Sequence, residues 1–147
     1  MKRFTAIAAS LILGLSVSAK DDARLLNAIG DVETGHLRNP RGAVGKAGER
    51  GRYQMKPEAW KDANSVLSGS SRPPCDWSHW KDAVVQDVMA AAYLSALRRH
   101  LASAGYPNPS PAQLALAWNV GPAAAVSRRL VLNDYARRVQ NIYFATR

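Results

Sequence analysis

Residues 80–102 read WKDAVVQDVMAAAYLSALRRHLA, and Val84, Val85, Val88, Met89, Ala92, Leu97 and Leu101 keep a 3.6-residue stripe through them. A run of that length and period predicts one long helix over 80–102, buried along a single face. Tyr106-Pro107-Asn108-Pro109 ends it, since proline has no N–H to give and crowds the preceding turn. Ser110-Pro111-Ala112-Gln113 then has the form of a capping box, so a helix is expected over 111–118, stopping near Gly121-Pro122. Two short helices are expected over 123–130 and 134–145. Upstream, Leu25, Leu26, Ile29 and Val32 share a face of a helix over 22–33, with Gly35 placed as its stop. Residues 36–52 are glycine-rich and aperiodic, which predicts an irregular lobe or short hairpin. Pro57 opens a helix to about 67, and 68–77 is a Gly/Ser/Pro loop. The expected class is all-α, α+β at most through the small irregular lobe.

The length, 147 residues, suits one compact domain. Its first residues read differently from the rest. Met1-Lys2-Arg3 is basic, 4–15 is mostly apolar, and Val17-Ser18-Ala19 precedes the polar Lys20-Asp21-Asp22. That order is the one of a secretory signal peptide over 1–19, leaving the domain as 20–147 and placing it in the periplasm or outside the cell. The apolar run is short of the roughly 18 residues a membrane-spanning helix needs. Cys75 is the single cysteine, so no internal disulfide is open to the chain and its core must hold it together.

Formal charge is +9, and +7 without Lys2 and Arg3. A basic exported protein invites a polyanion. Its basic residues are dispersed, however, and no nucleic-acid-binding signature is present, so bacterial wall polymer is the expected partner and nucleic acid is not. An envelope or secretion-complex partner is left open, and a monomer is expected. Nothing in the sequence calls for a cofactor or a metal.

Three segments carry chemistry. In Asp31-Val32-Glu33-Thr34-Gly35, Glu33 sits at the last turn of an amphipathic helix, the unfavourable end of the dipole for an anion. Partial burial there raises a carboxyl pKa, as a general acid at neutral pH requires. Alone, a Glu near a helix end is usually a solvated surface charge. In Gly51-Arg52-Tyr53-Gln54-Met55, Tyr53 and Met55 offer apolar walls and Gln54 a bidentate amide, a mixture that suits sugar. In Ala117-Trp118-Asn119-Val120-Gly121-Pro122, Trp118 can stack on a sugar or pack in the core, and Asn119 can bond backbone or ligand.

The order of these segments resembles the soluble lytic transglycosylase and goose-type lysozyme group. Glu33-Thr34, Gly51 to Pro57, Ala115 to Pro122 and Tyr135 to Tyr143 follow that group's Glu-Ser, Gly-Leu-Met-Gln, Ala-Tyr-Asn-Ala-Gly-Pro and late tyrosine motifs. The resemblance runs from Leu25 to Tyr143. It implies a lysozyme-like fold with a substrate cleft between two lobes and Glu33 as catalytic acid. It also implies sugar contacts by Thr34, Tyr53, Gln54, Met55, Trp118, Asn119, Tyr135 and Tyr143. The implied reaction cleaves the β-1,4 bond between N-acetylmuramic acid and N-acetylglucosamine and leaves 1,6-anhydro ends. Thr34, Gly45, Tyr53 and Trp118 depart from the group's usual residues.

Two alternatives stay open. A hydrolytic lysozyme needs a second carboxylate, for which Glu49 is the candidate, although its neighbours Arg50 and Arg52 offer it surface ion pairs. A wall-binding protein of a secretion apparatus needs none.

Overall fold

The structure, a computed structural model, describes the backbone of residues 5–146 and the side chains of 19–146. All of the leader expected over 1–19 except Ala19 therefore lies outside the described side chains, and its first four residues outside the description altogether. The described residues are all-α. Six helices follow in order: α1 (Thr5–Thr34), α2 (Pro57–Gly69), α3 (Ala83–Ser103), α4 (Pro111–Val120), α5 (Pro122–Ser127) and α6 (Asp134–Ala145). Two 3₁₀ turns, Pro40–Gly42 and Trp77–Lys81, stand between them. Among the described residues no helix is long and apolar enough to cross a membrane.

α2 packs on α3, and α6 on both α1 and α4. Leu25 and Ile29 of α1, Met89, Leu94, Leu97 and Leu101 of α3, and Leu114 and Leu116 of α4 are fully buried in one cluster. Each such side chain contributes roughly 1.5–3 kcal/mol by leaving water. The α4 capping box is formed as its sequence predicts: the Ser110 hydroxyl accepts from Gln113 N, and Gln113 Oε1 accepts from Ser110 N.

The long helix starts later than its apolar pattern suggests. Asp82 caps it, accepting from Val84 N and Val85 N, and residues 77–81 form the 3₁₀ turn instead. Val84, counted in the stripe, is 71% exposed: it takes the solvent side of the first turn of α3, whose buried residue is Gln86.

Residues 36–56 form the irregular lobe. Among the described residues there is no strand, only isolated bridges joining Val44 to Arg50 and Arg50 to Met55. With so little ladder of its own, the lobe is held to α3 by side chains. Gln86 is buried; its Oε1 accepts from Arg52 N at 2.9 Å, and its Nε2 donates to Arg41 O at 2.8 Å and Trp80 O at 2.7 Å. The next residue, Asp87, receives both Arg41 guanidinium nitrogens and the Tyr53 hydroxyl. Gly51, at φ +73°, is where the lobe presses on Gln86: a Cβ there would stand 2.6 Å from its carboxamide.

Candidate active site

A cavity of about 550 Å³ lies where the lobe faces the helices. The last turn of α1 brings Glu33 to it, the lobe brings Gly45, Glu49, Gln54 and Met55, and α4 brings Trp118 and Asn119. Residues from three distant parts of the sequence thus converge on one space. Tyr135 of α6, expected as a sugar contact, does not line the cavity; its hydroxyl is taken by Glu33, donating to Oε1 at 2.7 Å.

Glu33 is half-buried, and that burial raises its carboxyl pKa above the ordinary value. The Tyr135 hydroxyl and, more weakly, the Arg138 charge pull it back, while the negative charge of Glu49 pushes it up. Tyr135 itself is raised well above 10 by burial and by Glu33, so it stays a donor at any physiological pH. Glu49 goes the other way. Its own amide lowers its pKa most, followed by Ala47 N at 2.9 Å and Lys56 at 3.6 Å. Two carboxyls lining one cavity are therefore driven apart, Glu33 toward the acid and Glu49 toward the anion, the pattern that separates an acid from a charge stabiliser. The ion-pair partner expected for Glu49 was Arg50 or Arg52; it is Lys56, because Arg52 turns away to Asp31 of α1.

Gln54 sits at φ +46°, a left-handed conformation that is uncommon outside glycine. The turn imposes it: Gln54 N and Gln54 Nε2 both donate to Gly51 O, at 3.1 and 2.8 Å. The side chain is thus not a free bidentate amide; one N–H is committed, leaving the oxygen and one N–H. Gly45 is explained by the same corner, since a Cβ there would run into the Glu49 carboxylate and lie 2.6 Å from Gln54 Oε1. Asn119 is fixed through its oxygen, which accepts from Asn133 Nδ2 at 2.9 Å, leaving its N–H groups for the cavity. Trp118 is buried with its ring set edge-on to Tyr53 and Tyr93, its Nε1 donating to Tyr53 O at 3.3 Å. It is a core residue that forms part of the cavity wall.

Three further expected sugar contacts are corrected. Thr34 is 1% exposed, and its hydroxyl is spent on Gly30 O and Arg52 O, tying α1 to the lobe. Tyr53 is buried beneath the lobe with its hydroxyl on Asp87 at 2.7 Å. Tyr143 is buried between α6 and α1, where Arg24 donates to its hydroxyl and lies over its ring at 3.9 Å. None of the three lines the cavity.

Sequence reasoning missed Tyr93, Asp62, Glu58, Lys46, Lys56 and Asn133. Only Asn133 carried a readable signal: an Asn before the α6 run is an N-cap, and it does accept from Ala136 N. Among the described residues no cluster of three or more His, Cys, Asp or Glu is placed to hold a metal ion. Comparison with protein-family models, curated proteins and solved structures gave no match.

The hydrogen bond to Glu33 gives a pH test. Tyr135→Phe removes a contact that favours the carboxylate, so the Glu33 pKa rises further. If activity needs protonated Glu33, the alkaline limb of the rate–pH profile moves to higher pH in this variant. An unmoved limb would mean that another group sets it.

Proposed function

We propose that this chain is an exported peptidoglycan-cleaving enzyme with a lysozyme-like fold. More specifically, it is a lytic transglycosylase acting on the β-1,4 bond between N-acetylmuramic acid and N-acetylglucosamine. The observation that carries this reading is Glu33: a half-buried carboxyl held toward its protonated form, in a cavity that also offers the Gln54 and Asn119 amides. The motif order from Glu33 to Tyr143 supports the same reading. Export rests on the leader-like residues 1–19.

In the proposed reaction, Glu33 protonates the glycosidic oxygen as the bond from the muramoyl anomeric carbon breaks. The acetamido oxygen of the same sugar covers that carbon. Glu33, now ionised, takes the proton of the muramoyl 6-hydroxyl, whose oxygen displaces the acetamido group. A 1,6-anhydro ring closes and Glu33 is protonated again. Tyr135 holds the carboxyl in place and eases its anionic stage. No water is consumed.

One observation favours a second reading. Glu49 lines the same cavity and is kept ionised, as the second carboxylate of a hydrolase must be. Digesting purified wall and weighing the fragments separates the two. Transglycosylation gives muramoyl ends lighter by one water, and Glu49→Gln keeps most of the cleavage. Reducing ends that vanish in Glu49→Gln would establish the hydrolase instead.

A further inference from the structure

A second groove, of about 490 Å³, lies beside the first cavity, lined by residues of α2 and α3. The two spaces share Asp62, Tyr93 and Pro122 in their linings, so they are immediate neighbours. Their chemistry differs. The first cavity holds four carboxylates, Glu33, Glu49, Glu58 and Asp62, against Lys46 and Lys56. The second has an apolar floor of Val66, Leu97 and Ala104, with the Arg99 guanidinium and the His100 imidazole at its rim. Arg98, one residue earlier, is taken by Asp22 of α1 through two hydrogen bonds. Arg99 and His100 are exposed, and among the described residues their side chains have neither an ion-pair nor a hydrogen-bond partner.

We propose that this groove binds a short peptide ending in a carboxylate, the branch that a muramoyl sugar carries on its lactyl group. The identity of the peptide rests on the glycan reading of the first cavity. A sugar backbone without charge tolerates an acid-rich cavity, whereas peptide carboxylates are disfavoured beside its four acids and favoured beside Arg99. Arg99 offers them a planar pair of N–H donors, the geometry that fits a carboxylate. Small side chains such as alanine methyls suit the floor of Val66, Leu97 and Ala104. Asp62, at the junction, accepts from amide N–H groups of a peptide passing over it. Further sugar could bond Ser65 and Ser103 there but would leave the Arg99 charge unmet. The proposal makes Arg99 a specificity residue for peptide-bearing strands.

The test uses the full chain carrying Glu33→Gln, so that no ligand is consumed. Calorimetry measures binding of a synthetic muramoyl-peptide and of a neutral chito-oligosaccharide that carries none. Arg99→Glu is expected to weaken the muramoyl-peptide at least ten-fold and to leave the neutral oligosaccharide unchanged, with Arg99→Lys between the parent and Arg99→Glu. Peptide affinity untouched by Arg99→Glu, or both ligands weakening together, overturns the groove assignment. Cleavage of wall by the unsubstituted chain is scored separately. Arg99-dependent peptide binding by a chain that cuts nothing would keep the groove and sink the catalytic reading, so the two failures are distinguishable.

Discussion

Glu33→Gln is expected to lower the rate of fragment release from purified wall by about 10³-fold, the scale on which a positioned acid contributes. The substitution keeps shape and can still accept from Tyr135, so the loss is one of proton donation and not of architecture. Stability should move the opposite way. A carboxyl whose folded pKa is raised binds its proton more tightly in the folded than in the unfolded chain. The folded state is therefore favoured at low pH. A penalty develops as pH rises through the unfolded value and is complete above the folded one. Glutamine has no charge to bury, so Glu33→Gln should melt at higher temperature than the parent at pH 7. The gain should disappear at pH values where the parent carboxyl is protonated in both states. Thermal melts at two pH values check this. A variant that loses both activity and stability at pH 7 would make Glu33 a structural residue instead.

The second large effect is on Gln86. Gln86→Leu keeps the volume of a buried α3 position but orphans Arg52 N–H and the carbonyls of Arg41 and Trp80. Unsatisfied buried groups of this kind together cost roughly 2–4 kcal/mol, which lowers Tm by about 10 °C in a domain of this size. Activity should fall as well, because the Gly51–Gln54 turn that presents Gln54 is held to α3 through the Arg52 N–H bond that the substitution removes. A melt and a wall-digestion assay on the purified variant measure both. An unchanged Tm would mean that the lobe holds itself.

These two residues mark what the sequence could and could not tell. Helical periods made α3, α4 and α6 legible, and the Ser110 and Pro57 signals fixed two starts within a residue. The start of α3 differs because apolar spacing cannot distinguish Val84, which faces solvent, from the buried Met89 five residues on. In the site, Glu33, Gln54, Asn119 and Tyr135 were legible from motif order, and they do come together. Thr34, Tyr53 and Tyr143 belong to the same motifs yet spend their hydroxyls inside the fold. Order along the chain does not say which face a side chain takes. Gln86 and Asp87 gave no signal at all. Polar residues on a helix ordinarily face water, and only the folded lobe reveals that these two hold it.

The most direct measurement is an NMR titration of the Glu33 side-chain carboxyl carbon, set beside the rate of wall cleavage over the same pH range. The expected result is a midpoint above the ordinary carboxylate value of 4.5, coincident with the alkaline limb of the rate and moving up with it in Tyr135→Phe. A Glu33 that titrates at or below 4.5, or cleavage that continues undiminished where Glu33 is fully ionised, would contradict its role as the acid.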